Sequence, residues 1–157
     1  MWRFPSGLLL LLPVVFLGVA SVSLQATEND PSPRERTAMA ASFATERLAV
    51  WQKRLDLQDW NIAVVVARAG ELKPKTLGNI HWDLEKKTAV IRVLDPADYK
   101  MPFPEMLQDI EFTVVHELIH LNFAPVLSDL QRSDANRREE EHAVNHMAEA
   151  LLKLDRK

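Results

Sequence analysis

Between Leu107 and Leu121 apolar residues recur every three or four positions. Leu107, Ile110, Val114, Leu118 and Leu121 form one stripe, and Val115 and Ile119 widen it. A segment apolar over so much of its circumference predicts a central, buried helix. It should begin near Pro104 or Glu105, and Pro125 should close it. Upstream, from Thr37, the residues Phe43, Arg47, Leu48, Val50, Trp51 and Leu55 also follow helical spacing. The short β-branched run Ile62 to Ala67 then predicts a buried strand. After a loop over Gly70–Pro74, Ile80, Trp82 and Leu84 alternate with Asn79, His81 and Asp83, and past Lys86–Lys87 the residues Ala89, Ile91 and Val93 alternate in the same way. Those two runs predict a hairpin. Its His81 should face solvent, and the tryptophans Trp51, Trp60 and Trp82 are expected to pack in or around the core. Beyond the polar connection "SDLQRSDAN", a last helix from Arg137 should turn Val144, Met147, Ala148, Leu151 and Leu154 inward. The order of elements predicts an α+β domain: an N-terminal helix, a small three-stranded sheet, a central helix and a C-terminal helix.

The first residues change the picture of where this domain works. Arg3 precedes an uncharged apolar run from Gly7 to Ala20, and small residues follow at Ser21, Ser23 and Ala26. That order predicts a secretory signal peptide over residues 1–26. The alternative is a retained membrane anchor through residues 7–24, a stretch close to spanning length. Either reading puts the remainder outside the cytoplasm, periplasmic or secreted, with residues 27–36 as a polar linker and 37–157 as a single domain. The chain has no cysteine, which excludes disulfides, cysteine-ligated zinc and cysteine nucleophiles. Removal of residues 1–26 takes away only Arg3 and moves the formal charge from −3 to −4. Mild acidity without a basic stripe argues against a nucleic-acid partner.

The central helix carries the candidate chemistry. In "FTVVHELIHLNF" three ionisable groups interrupt an apolar segment, and burying them requires a partner. His116 and His120 are four apart and leave the same face of a helix. Glu117 sits between them. Two imidazoles in an H-E-x-x-H helix can bind one zinc ion, and the glutamate can act as general base on water there. Zinc needs a third protein ligand from another element. "EEEHAVNH" on the last helix supplies Glu141, which lies on the side of Val144 and Ala148, with Glu140 on the neighbouring edge as the fallback.

The pair "HELIH" and "EHAVN" resembles the gluzincin metallopeptidases, in which a glutamate on a following helix completes the zinc site. In arrangement and size the chain is similar to the single-domain minigluzincins. The resemblance spans roughly Thr37 to Leu154 and makes residues 37–157 a metallopeptidase-like domain. It implies that an amide or acidic residue one turn past the ligand glutamate braces a histidine, a place that Asn145 fills for Glu141 alone. It also implies a zinc metalloendopeptidase whose substrates are peptides or unfolded proteins. Such a substrate would lie along an exposed strand edge, either Gly78–Leu84 or its partner Thr88–Leu94. Larger gluzincins carry a further histidine or tyrosine for the transition state, and Tyr99, His142, His146 and Arg137 are the candidates here. The alternative function is an exported zinc-binding module without peptidase activity, serving a structural or interaction role.

Overall fold

The structure, a computed structural model, describes residues 31–131 and 133–157. The signal or anchor segment, residues 1–26, and linker residues 27–30 lie outside the described residues. Helix α1 (Pro33–Arg54) begins four residues before the expected Thr37, inside the segment read as linker. The reason is local. Ser32 caps the helix while the Glu35 carboxylate accepts from the Ser32 backbone N–H at 2.8 Å and hydroxyl at 2.6 Å. This reciprocal capping box sets the start, and a proline is tolerated in the first turn because its missing N–H would have had no helical partner.

Strands β1 (Asn61–Ala67), β2 (Gly78–Asp83) and β3 (Thr88–Leu94) form one sheet in the order β1-β3-β2. β2 and β3 make the expected antiparallel hairpin, with Ile80 opposite Ile91 and Trp82 opposite Ala89. Asp83 shapes the turn by accepting from the backbone N–H groups of Glu85 and Lys86. β1 joins β3 in parallel, with Val64 opposite Ile91. Two expectations change here. β1 is an edge strand that buries one face only, and its Val65 is 41% exposed. β3 lies in the middle of the sheet, so Thr88–Leu94 offers no free edge to a substrate. β2 does.

Helix α2 (Phe103–Leu127) is the centre of the molecule and touches α1, β2, β3 and the last helix α3 (Asp134–Asp155). Ile110, Val114, Val115, Leu118 and Leu121 are fully buried along it, each stabilising the fold by about 1.5–3 kcal/mol. Pro125 does not stop α2. It sits in the last turn, and the helix continues to Leu127. α3 starts earlier than expected, at Asp134, because the Ser133 hydroxyl caps it by accepting from the Asn136 N–H at 3.1 Å. Its inward residues are Val144, Ala148 and Leu152, whereas Leu154 is 66% exposed. The spacing of four from Ala148 continues to Leu152, and Leu154 falls on the opposite side.

Gly78 sets the distance between sheet and helix. A Cβ there would stand 2.3 Å from Thr113 Cγ2 and 2.6 Å from the Arg92 carbonyl oxygen. Only glycine lets the start of β2 press against α2 one turn before His116. Together these elements make an α+β fold with helices flanking a small sheet. Among the described residues no helix is long and apolar enough to cross a membrane.

Candidate metal centre

His116 and His120 project from one side of α2 with their rings edge to face and centroids 4.7 Å apart. Their Nε2 atoms face each other at 3.0 Å. Glu141 reaches over from α3: one carboxylate oxygen is 3.3 Å from His116 Nε2, and the other is 3.4 Å from His120 Nε2. Donor atoms from these three residues all lie within 4.8 Å of one another, a group that could hold a metal ion. Burial and the neighbouring His120 favour the neutral form of His116, the form that ligates a metal, with Glu141 and Asn145 working in the opposite direction. Asn145, one turn beyond Glu141, lies beside His116. Among the described residues, the buried Nδ1 of His116 has no hydrogen-bond partner.

Glu140 has a different position from its neighbour. Its carboxylate lies 2.9 Å from His120 Nδ1, on the far side of the ring from Nε2. A carboxylate on the outer nitrogen fixes the ring's orientation and leaves Nε2 as the donor to a metal. The two candidates for one role thus take two different positions; spacing favoured Glu141 but did not place Glu140 on the other nitrogen of His120. Successive helical residues point about 100° apart, so the rotation of α3 against α2 decides which carboxylate meets which nitrogen.

Glu117 is 7% exposed and lines the same cleft as the histidines. Burial, followed by repulsion from Glu141, pushes its carboxyl up to about 8, and Lys73 partly offsets this. Among the described residues it makes no side-chain hydrogen bond, so its carboxyl is held close to the donors without being committed to a structural partner. The cleft measures about 450 Å³ and is bounded by α2, by the first turns of α3 and by the segment Leu77–Ile80 with Trp82. Trp51 and Trp60 are buried as expected. Trp82 is 38% exposed and belongs to the cleft wall.

Of the four candidates for a transition-state group, only Arg137 lines the cleft. Tyr99 donates its hydroxyl to Asp109 at 2.8 Å and is held as a structural residue, with its own ionisation pushed up by burial. His142 and His146 pack against each other on the exposed side of α3, their centroids 5.2 Å apart. His81 is exposed on β2, as expected. Comparisons of the chain with protein-family models, with curated proteins and with solved structures find no match.

Proposed function

We propose that this protein is a zinc-dependent metallopeptidase of the gluzincin type, hydrolysing peptide bonds in extended or unfolded polypeptides outside the cytoplasm. One observation carries the reading: three metal-competent donors converge in an open cleft whose wall also holds a buried, uncommitted carboxyl, Glu117. The donor set suits zinc. The two imidazole nitrogens stand 3.0 Å apart, and with one carboxylate oxygen of Glu141 the donor atoms all lie within 4.8 Å of one another, close enough to converge on one ion. Three protein donors, with the cleft open beside them, match a catalytic site better than a closed structural one.

His116, His120 and Glu141 would hold the ion, with Glu140 orienting His120 and Asn145 supporting His116. Zinc held there would supply Lewis acidity, polarising a carbonyl oxygen and making water a stronger acid. Glu117 would take a proton from water and later return it to the leaving amine. The free edge of β2 runs beside the cleft, and an extended substrate could add to it as a further strand, which favours unfolded chains. The location outside the cytoplasm rests on the signal or anchor character of residues 1–26.

The test combines metal content with cleavage. Purified protein should carry one zinc per chain and cleave a labelled unfolded protein, and His116→Ala with His120→Ala should remove both. Undiminished zinc in the double variant would remove the reading. Zinc binding without cleavage of varied unfolded substrates would leave the non-catalytic metal module in its place.

A further inference from the structure

The cleft is rimmed by cations although the chain as a whole is acidic, with a formal net charge of −3. Lys73 and Lys75 come from the loop before β2, and Arg137 comes from α3 on the other side. Among the described residues none of the three closes an ion pair. The acids of the cleft lie nearer the donors: Glu140 at His120 Nδ1, Glu141 at the two Nε2 atoms with its side chain 56% exposed, and Glu117 buried in the wall with Lys73 in electrostatic reach. The loop also holds an unusual backbone. Lys75 has a φ of 65°, and a turn in which Thr76 donates both its N–H and its hydroxyl to the Lys73 carbonyl stabilises that conformation. A side chain larger than glycine rarely adopts this region, and such strain concentrates at functional sites.

We infer that the cleft selects extended peptide segments bearing acidic side chains, which Lys73, Lys75 and Arg137 meet on either side of the metal donors. The inference rests on the proposed peptidase reading for the kind of ligand, but the charge preference is a binding property. Cations around a concave site with low-dielectric walls concentrate anionic ligands and reject cationic ones. An acidic residue beside the scissile bond would gain two or three such contacts, whereas a lysine there would be repelled.

The experiment measures binding of two fluorescent peptides of equal length, one rich in glutamate and the other with lysine in the same positions. It uses the Glu117→Gln protein with zinc and again after chelation, so the result does not depend on turnover. The glutamate peptide should bind roughly tenfold more tightly, as a few partly exposed charge pairs would give, and the gap should shrink with added salt. Lys73→Gln with Lys75→Asn should abolish most of the preference; asparagine tolerates the left-handed backbone at position 75, so circular dichroism should stay unchanged. Equal affinity for both peptides, a preference unmoved by these variants, or equally strong competition by a short oligonucleotide would overturn the inference. If the wild-type protein cleaves both peptides equally well, this inference fails while the peptidase reading stands. If nothing is cleaved but the preference holds, the reverse is true.

Discussion

Helix α2 carries two carboxylates buried almost equally, Glu111 at 8% and Glu117 at 7% exposure, and they live in opposite circumstances. Glu111 accepts from Arg47 Nε at 2.6 Å and from Trp51 Nε1 at 2.9 Å, both on α1. Arg47 continues to Asp155 at the end of α3, where Arg54 also arrives, so this cluster ties three helices together. Among the described residues Glu117 has no such donors, with Lys73 in electrostatic reach and Glu141 opposing it. A buried carboxylate satisfied by two donors is a structural anchor. One left without them is held at a cost to stability, and sites that move protons are where such costs are found. The two carboxylates stand six positions apart on one helix.

Converting each carboxylate into an amide should separate the two most strongly. Glu117→Gln should keep zinc and fold but lose cleavage by on the order of 10²–10⁴-fold. Glu111→Gln should lose activity only in proportion to unfolded protein. Equal turnover numbers for the two variants, measured per folded molecule, would mean that Glu117 is not the proton carrier. The neighbours on α3 sharpen the same contrast between committed and available groups. Glu140→Gln should weaken zinc binding about 10–100-fold, the effect of removing an orienting partner, and Glu141→Ala should weaken it further still. Competition with a chelator of known affinity reads both, and a reversed order would exchange the two roles.

Stability should run the other way from activity. Glu111→Ala leaves Arg47 and Trp51 without their shared acceptor and should cost about 2–4 kcal/mol, below the full value for a buried pair because Arg47 retains Asp155 and is itself 19% exposed. Glu117→Gln should cost nothing or stabilise. Urea midpoints of the metal-free proteins would show it, and equal losses would dissolve the distinction between anchor and site. The smallest effect belongs to a third, half-buried carboxylate at the surface. Asp98 takes a bidentate contact from Arg68 and the Ala69 N–H, which lower its pKa from 3.8 to about 2. Its contribution is therefore present above about pH 4 and fades as the pH falls toward 2. Asp98→Asn should remove that part of the acid-unfolding slope and leave neutral-pH cleavage unchanged, as circular dichroism and the cleavage assay would record.

Features that depend on local geometry alone are legible along the chain. The α2 stripe, the common face of His116 and His120, the hairpin alternation and the order of elements follow from the periods of helix and strand, which hold whatever packs against them. Capping was equally local, yet Ser32 with Glu35 and Ser133 with Asn136 moved two helix starts outward because hydrophobic spacing does not register a cap. Tertiary structure decided the rest. Glu140 and Glu141 differ by one helical step, and only the rotation of α3 against α2 gives one of them Nδ1 and the other the two Nε2 atoms. Glu111 reads in the sequence like another polar interruption of an apolar helix, because its partners Arg47 and Trp51 lie sixty residues or more away. β1 reads as a buried strand because its β-branched run carries no mark of which neighbour it will have. The parallel pairing with β3 leaves it at the edge and puts β2, with its free side, beside the cleft. Contacts between residues remote in sequence are set by how whole surfaces fit together, and no short window of residues contains that information.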